Sequence, residues 1–297
     1  MSTIIGVDVG GTKIAAGTVS LDAAGQPHVT AELRIPTPRS NAITGVLEAI
    51  AQALELSDAP KAGIGIGAPG VIDPSTGQVV SSGPTMAGWA GTQIKQEVER
   101  AFGLPVAVHN DVRVLGLGEA RFGAGREFAN ILFCSLGTGV GGAIVRNHSL
   151  MSSPHHTAGE LRRLYGRLPN GQAALIEDFA SGTGVARQYN ATGRWPQAHD
   201  LHEIMDRIAA PGGAHEGEFV AELFFCAGEA IGGFASAIDV DAIVLGGGVT
   251  GIGEFVTEPF ARGVRAGAIP PMDQVPVRVA TLGPQAPIIG AASLLLP

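Results

Sequence analysis

Apolar and polar positions change period along the chain, and this pattern predicts a mixed α/β protein. Short apolar runs bounded by glycine or polar residues predict strands at 4–9, 14–20, 29–35, 62–67, 106–109, 131–136, 143–145, 242–245 and 275–280. Segments with helical spacing predict helices at 42–56, 91–102, 112–122, 173–179, 184–189, 201–208, 218–238, 254–264 and 287–295. Ser40 or Asn41 is a suitable N-cap for the first helix.

The first two predicted strands are joined by a glycine turn that can bind a phosphate. The turn contains Gly10, Gly11, Thr12 and Lys13. Glycine lacks a Cβ, so consecutive backbone N–H groups in such a turn can contact an anion directly. Asp8, at the end of the first strand, is placed to hold Mg²⁺ through water. Taken alone, this segment is equally consistent with an ordinary hairpin.

A second hairpin of the same kind lies near the middle of the chain. The apolar run 131–136 is followed by Gly137, Thr138 and Gly139 and then by a second apolar run. Two such hairpins, facing each other, would grip a polyphosphate from both sides. This is the duplicated plan of the actin, sugar-kinase and heat-shock ATPase folds, so the pair of hairpins indicates a nucleotide-binding α/β protein.

Length and charge restrict the organisation and the partners. The 297 residues suggest two domains, 1–122 and 123–297, with a boundary in the glycine-rich stretch 123–126. The formal net charge of −8 argues against a nucleic-acid partner, and the absence of a Lys/Arg-rich run argues against binding to a membrane surface.

Further features of the sequence favour a soluble cytoplasmic protein. Cys134 and Cys226 are predicted to be buried and unpaired. The chain begins without a secretory signal. The apolar stretch 286–297 is too short to span a bilayer.

Three segments match the dinucleotide pattern G-x-G-x-x-G, at 65–70, 137–142 and 246–251. A dinucleotide site needs these glycines to open a helix, with an acidic residue about 20 positions later. The first two segments lack a following helix, and the third comes too late in the chain to begin such a fold. No Walker-type P-loop is present. A dehydrogenase is therefore the weaker hypothesis.

Asn110 and Asp111 follow His109 at the end of a predicted strand and form the best catalytic candidate. Asp111 has a simpler alternative role as the N-cap of the next helix. An amide beside a carboxylate also suits a sugar hydroxyl, because the amide orients hydroxyls and the carboxylate accepts the proton during attack on a γ-phosphate.

The chain resembles the ROK family (repressors, open reading frames and kinases), and within it the bacterial hexose kinases. The resemblance runs through ordered segments over nearly the whole chain: DVGGTK at 8–13, GIGAPG at 65–70, GW at 88–89, HND at 109–111, LGTGVGG at 136–142, GEL at 159–161, LIEDFASG at 175–182 and IVLGGGV at 243–249. It implies the actin-like, hexokinase-type fold of two ribonuclease H-like domains. It also implies a last helix, at about 286–297, that packs on the N-terminal domain.

The resemblance further assigns site residues. It implies that Asp111 is the general base and that Asn110, Gly70, Glu160 and Glu177 bind the sugar. The residues that it assigns to the nucleotide are Asp8, Gly10, Gly11, Thr12, Lys13, Gly137, Thr138, Gly139, Gly246, Gly247 and Gly248, where the last three lie on the adenosine side. ATP, Mg²⁺ held by Asp8 through water, and a homodimer are implied in the same way.

Several functions within the family stay open. Only seven residues precede Asp8, too few for the DNA-binding region of the family's repressors. The most favoured activity is that of a glucokinase, with phosphorylation at the 6-hydroxyl. An N-acylmannosamine, N-acetylglucosamine or free aminohexose kinase is the alternative, and a non-catalytic sugar sensor is a weaker one. A donor other than ATP, including polyphosphate, stays open.

One family motif is missing. Relatives follow Gly-Glu with Gly-His and a cysteine cluster that binds zinc, whereas Arg162 and Arg163 follow here and cysteine is absent between Cys134 and Cys226. A four-ligand zinc site cannot be built from this segment. We therefore expect no zinc, and we expect Arg163, or Arg162, to pair with Glu160 or Glu177. The histidines at 155, 156, 199 and 202 are expected on the solvated surface.

Overall fold

A computed structural model of the chain describes residues 3–83 and 86–297. The strands are β1 Thr3–Val9, β2 Lys13–Leu21, β3 Pro27–Pro36, β4 Lys61–Ala68, β5 Val71–Asp73, β6 Gln78–Ser81, β7 Val106–Asn110, β8 Asn130–Leu136, β9 Val140–Arg146, β10 Ser149–Leu150, β11 Tyr165–Arg167, β12 Ala173–Leu175, β13 Ala242–Gly246 and β14 Val277–Val279. The α-helices are α1 Ala42–Glu55, α2 Ile94–Phe102, α3 Asp111–Phe122, α4 Glu177–Ala180, α5 Gly182–Ala191, α6 Leu201–Ala209, α7 Ala214–Ile238, α8 Glu254–Gly267 and α9 Ala286–Ala292.

The chain forms two compact units. Unit 1 comprises Met1–Glu127, Ala143–Ala158 and Thr281–Pro297, and unit 2 comprises Phe128–Gly142 and Gly159–Ala280. Each unit is assembled from separate stretches of the chain. The division into two continuous domains, 1–122 and 123–297, stays a prediction.

The main sheet of unit 1 has the strand order β3-β2-β1-β4-β7. β1 is antiparallel to β2 and parallel to β4, and β4 is parallel to β7. Gly67 of β4 is in register with both Asp8 and His109, so the carboxyl ends of these three strands lie at one edge of the sheet. That edge carries the glycine turn after β1 and the Asn110–Asp111 pair after β7.

Unit 2 repeats this pairing. β13 pairs in parallel with β8 and β14, as β4 pairs with β1 and β7. β9, which begins in unit 2 and continues into unit 1, pairs antiparallel with β10, as β2 pairs with β3. Both glycine segments therefore follow the first strand of a βββ unit, as the duplicated plan predicts.

The last helix packs within unit 1 at positions where the sheet has no side chain. A Cβ at Gly65 of β4 would lie 2.0 Å from the carbonyl oxygen of Ala291 in α9, so only glycine permits this approach. Glu119, buried on α3, accepts hydrogen bonds from the backbone N–H groups of Thr281 and Leu282. These contacts fix the C-terminal segment against β4 and against α3, whose first residue is Asp111.

Two of the expectations about local structure are wrong, and one is confirmed. The segment 173–179 was predicted to be one helix, but Ala173–Leu175 is a strand that pairs with β11, and the helix begins at Glu177. The second helix begins at Ile94 rather than at residue 91. Asn41 is the N-cap residue of α1, as predicted, although it has a φ of 58° and makes no capping side-chain hydrogen bond.

One helix of the described residues, α7, is long and apolar enough to span a membrane by length and composition alone. Its most apolar 18-residue window has a mean hydropathy of 1.4, and half of that window is buried within the protein. Its backbone packs closely on α8, since a Cβ at Gly228 would lie 2.1 Å from the carbonyl oxygen of Phe260. The apolar composition is that of a core helix. Cys134 and Cys226 are buried and unpaired, as predicted.

Candidate functional site

The carboxyl end of β7 holds the candidate base in a fixed orientation. Asp111 Oδ1 accepts hydrogen bonds from the Asn110 side-chain amide, at 2.8 Å, and from the Val112 backbone N–H, at 2.9 Å. Asn110 Oδ1 in turn accepts a hydrogen bond from the Arg113 N–H at 3.1 Å, which makes Asn110 the N-cap of α3. The alternative role for Asp111, the N-cap, thus belongs to its neighbour, and the function of the Asp111 carboxylate needs another explanation.

Gly70 lies beside this pair. Its carbonyl oxygen accepts a hydrogen bond from Asn110 Nδ2 at 3.0 Å. Gly70 has a φ of +105°, a conformation that favours glycine, and a Cβ there would lie 2.4 Å from the Ser81 carbonyl oxygen. The structure therefore brings Gly70, Asn110 and Asp111 together in unit 1.

Asp8 is electrostatically coupled to Asp111. Burial, followed by the negative charge of Asp111, raises the pKa of Asp8 to about 6, and the positive charge of Lys13 opposes this rise. Two carboxylates that disfavour each other's ionisation are a suitable environment for a divalent cation, which would relieve the repulsion. The donor set of unit 1 thus fits a hydrated Mg²⁺ near Asp8.

The first glycine turn is held from one side by Thr37. The Thr37 hydroxyl donates to the carbonyl oxygen of Gly10 at 2.7 Å, and the Thr37 N–H donates to the carbonyl oxygen of Thr12 at 3.0 Å. The C=O of a trans peptide points opposite to the N–H of the next residue. The N–H groups of Gly11 and Lys13 therefore face away from Thr37, the arrangement that an anion-binding turn requires.

The second glycine turn is held in the same manner by the start of α5. The Gly182 N–H donates to the carbonyl oxygen of Gly137 at 2.8 Å, and the Thr183 hydroxyl donates to the carbonyl oxygen of Thr138 at 2.9 Å. The N–H groups of Thr138 and Gly139 consequently face away from the helix. Each turn thus has two carbonyl groups bound by its own unit.

The two carboxylates assigned to the sugar by resemblance lie in unit 2. Glu177 Oε2 accepts a hydrogen bond from the Val140 N–H at 3.0 Å, and Gly139 lies directly against this carboxylate. Glu160 pairs with Arg162, whose Nε lies 3.1 Å from Glu160 Oε2. Of the two neighbouring arginines, Arg162 thus makes an ion pair of the expected kind, and both arginines are exposed.

The third glycine segment also belongs to unit 2. Gly246 is the buried last residue of β13, Gly247 has a φ of +91°, and a short 3-10 helix begins at Gly248. Thr250 Oγ1 donates to the carbonyl oxygen of Gly247 at 2.7 Å, which closes the turn. The segment leads into a 3-10 helix, unlike a dinucleotide-binding turn, which opens an α-helix.

Within residues 3–83 and 86–297, no cluster of three or more His, Cys, Asp or Glu side chains could hold a metal ion. The histidines at 155, 199 and 202 are exposed, as expected. His156 differs, since it is only 28% exposed and its Nε2 lies 3.8 Å from Asp73 Oδ1.

Two functional features were missed by the sequence analysis. Thr37 and Thr183 fix the two glycine turns, yet their hydroxyl contacts span 27 and 45 residues of chain. A signal for Thr183 was present, because it directly follows the family segment at 175–182. No local signal marks Thr37.

Comparisons with known proteins agree with this architecture. The sequence profile of the ROK family matches residues 4–297. A glucokinase of Halalkalibacterium halodurans is 33% identical, over 98% of this chain and 94% of the relative. An N-acetyl-D-glucosamine kinase of Citrobacter koseri is 27% identical, over 85% of this chain and 86% of the relative.

The crystal structure of a ROK family glucokinase from Streptomyces griseus, in complex with glucose and AMPPNP, superposes with a TM-score of 0.78. It is 31% identical to this chain, and 99% of each chain is covered. The expectation of an actin-like, hexokinase-type fold is confirmed by this likeness. The chain belongs to the ROK family.

Proposed function

We propose that this protein transfers the γ-phosphoryl group of ATP to the 6-hydroxyl of glucose, with Asp111 as general base. The observation that carries the proposal is the arrangement of Gly70, Asn110 and Asp111, in which an oriented carboxylate is relieved of helix capping. That the chain is a sugar kinase follows from its family and from the glucokinase relatives, and glucose is the substrate that those relatives favour.

The geometry indicates a separate role for each of the unit 1 residues. Asn110 and Val112 hold the Asp111 carboxylate in a fixed orientation, in which it would meet an incoming hydroxyl. Asp111 accepts the hydroxyl proton as the oxygen attacks phosphorus, a contribution of about 100-fold or more in rate. Within each unit, the oriented N–H groups of the glycine turn would donate to phosphate oxygens.

We assign magnesium to a position beside Asp8 in unit 1. Asp8 would hold the ion through water, and the bound ion would neutralise charge on the transferred phosphate. The pKa of Asp8, raised to about 6 by burial and then by the negative charge of Asp111, supports this assignment, because a bound cation would stabilise the ionised carboxylate.

A coupled assay of hexose-dependent ADP release tests the proposal. Purified protein should release ADP with glucose and ATP, and mannose, N-acetylglucosamine, N-acetylmannosamine and glucosamine complete the panel. N-acetylglucosamine is included because of the relative from Citrobacter koseri. A higher kcat/KM for any of these sugars than for glucose would mean that this sugar, and not glucose, is the preferred substrate. ADP release from none of them would favour the non-catalytic sensor.

The donor is tested in the same assay by replacing ATP with inorganic polyphosphate and measuring the sugar phosphate directly. We expect ATP to be the better donor, since the neighbour from Streptomyces griseus contains the ATP analogue AMPPNP. Equal or faster transfer from polyphosphate would contradict the proposal that ATP is the preferred phosphoryl donor.

Two further expectations belong to this proposal. The protein needs no zinc, because arginines stand where the family's zinc histidine is expected, and elemental analysis should find far less than one zinc per chain. It forms a homodimer in the cytoplasm, as the resemblance implies. Light scattering that gives the mass of a single chain at micromolar concentration would reject the dimer.

A further inference from the structure

Arg113 is a buried charged side chain whose presence packing alone does not explain. It is the third residue of α3, after Asp111 and Val112, and it is only 3% exposed. A guanidinium keeps its charge and carries five N–H donors, so its burial is costly unless acceptors lie around it. The groups that Arg113 binds therefore indicate its role.

The backbone of Arg113 contributes to the orientation of the candidate base. Its N–H donates to Asn110 Oδ1 at 3.1 Å, and Asn110 Nδ2 donates to Asp111 Oδ1 at 2.8 Å. Neither bond involves the Arg113 side chain. A substitution of that side chain should therefore leave the cap of α3 and the orientation of Asp111 in place.

The side chain of Arg113 binds a different part of unit 1. Its Nε donates to the carbonyl oxygen of Ala158 at 2.8 Å, and the Ala158 N–H donates to Ser153 Oγ at 3.2 Å. Ala158 is the last residue of its stretch of unit 1. Because a peptide group is planar, a bonded carbonyl fixes the plane that joins Ala158 to Gly159. The guanidinium thus sets the direction in which the chain leaves unit 1 at this point.

The chain that follows Ala158 carries a carboxylate assigned to the sugar. Gly159 has a φ of +87°, a turn that favours glycine, and Glu160 comes next. Leu161 is 1% exposed, and it packs on the backbone of Gly142, where a Cβ would lie 2.5 Å from Leu161 Cδ1. In the sequence, Glu160 therefore lies between two anchored residues, Ala158 in unit 1 and Leu161 in unit 2.

We propose that Arg113 is a positioning residue for the sugar, which acts through the Ala158 carbonyl on the segment that carries Glu160. The inference rests on the proposed function, in which Glu160 binds a sugar hydroxyl. Since the backbone of Arg113 orients the base and its side chain holds Ala158, the side chain should affect sugar affinity without affecting proton transfer.

Steady-state kinetics of Arg113→Met and Arg113→Lys test this separation, with the sugar that gives the highest kcat/KM. Methionine keeps an apolar stem without a donor, whereas lysine keeps a cation that can donate to the same carbonyl. Arg113→Met should raise the sugar KM about tenfold, as expected for a lost charge-assisted hydrogen bond, and keep kcat within about twofold. Arg113→Lys should restore most of the affinity. An equal rise of KM in both variants, or a loss of kcat at unchanged KM, would overturn the proposal.

The matched control is Arg121→Met, on the same helix. The Arg121 guanidinium donates to the carbonyl oxygens of Ser293, at 2.7 Å, and Leu296, at 3.0 Å. The control removes the same kind of bond from α3, but to the C-terminal segment. We expect a lower melting temperature and an unchanged sugar KM. A rise of KM equal to that of Arg113→Met would show that α3 as a whole, and not the bond to Ala158, maintains sugar affinity.

A double-mutant cycle tests the route through Glu160. In the Glu160→Gln background, Arg113→Met should raise the sugar KM by only about twofold, because changes that act through one contact are not additive. In the Glu177→Gln background the full effect should persist. Equal effects in both backgrounds would overturn the route.

Calorimetric titration with the sugar measures affinity without turnover. Unchanged affinity in Arg113→Met would refute the inference. Unmodified protein that binds the sugar without turnover, with weaker binding in Arg113→Met, would refute the proposed kinase function and support the role of Arg113.

Discussion

The two glycine turns, at Gly10–Lys13 in unit 1 and Gly137–Gly139 in unit 2, meet one structural requirement with different supports. The first depends on Thr37, which donates to two carbonyl groups of the turn from its hydroxyl and its N–H. The second depends on the start of α5, where Gly182 and Thr183 each donate once. In both turns the bound carbonyl groups orient the next N–H groups away from the support, so a duplicated fold retains the geometry without retaining the residues.

The surroundings of the two turns differ more than the turns themselves. The first turn lies at the same sheet edge of unit 1 as Asp8 and Asp111, whose negative charges disfavour each other's ionisation. The second lies against Glu177, which accepts a hydrogen bond from Val140. Under the proposed function, unit 1 would supply groups for proton transfer and metal binding, whereas the Glu177 carboxylate of unit 2 is held by the backbone of its own unit. This division predicts unequal effects of equivalent substitutions.

The largest effect is expected from Asp111→Asn, which keeps the shape of the side chain but cannot accept the proton. We expect kcat to fall by about 100-fold or more, with sugar affinity better preserved. Glu177→Gln in unit 2 is the matched comparison, and it should change the sugar KM more than kcat. Steady-state kinetics measure both variants. A near-normal kcat for Asp111→Asn, or an equal loss of kcat in the two variants, would remove the distinction between the units.

The second prediction concerns Asp8→Asn, which should lower activity and raise stability. Since the folded-state pKa of Asp8 is raised to about 6 from 3.8, its ionised form destabilises the fold above that pH, by up to about 3 kcal/mol. This cost decreases as the pH falls through 6. Urea denaturation should therefore show a larger gain for Asp8→Asn at pH 7.5 than at pH 5. We expect kcat/KM for ATP to fall about tenfold. A loss of stability at pH 7.5 would contradict the buried-charge argument.

Thr37→Val and Thr183→Val compare the two supports directly. Each variant removes one hydroxyl hydrogen bond and keeps the backbone bond that holds the same turn. The ATP KM should rise about fivefold, as expected for one net hydrogen bond of about 1 kcal/mol. The effect should be larger for Thr37, whose bond is more buried. Thr44→Val is the control, since its hydroxyl donates to Asn41 away from both turns. An increase in ATP KM for the control alone would show that the turns need no such support.

Much of this organisation was predictable from the sequence, because strand and helix periods differ and the glycine turns interrupt them. The prediction of a helix at 173–179 was wrong because a short apolar run fits a strand and a helix equally well. Asn110 and Asp111 are both good N-caps, and only the backbone decides that Asn110 takes this role. Thr37 was missed because its contact with Gly10 spans 27 residues of chain, a distance over which no sequence pattern operates.

The smallest effect is expected at the position of the missing zinc motif. Arg162 pairs with Glu160 at 3.1 Å and is half-exposed, and such pairs contribute about 1 kcal/mol or less. Arg162→Ala should therefore raise the sugar KM about two- to threefold and leave kcat unchanged, because the arginine orients a sugar-binding carboxylate without contacting the transferred group. Arg163→Ala is the matched control, since this neighbouring arginine is equally exposed and the ion pair with Glu160 is made by Arg162. The difference between the variants should shrink in about 1 M salt, where surface charges are screened within about 3 Å. An equal rise of KM in both variants would mean that the loop as a whole, and not the Arg162–Glu160 pair, positions the sugar in unit 2.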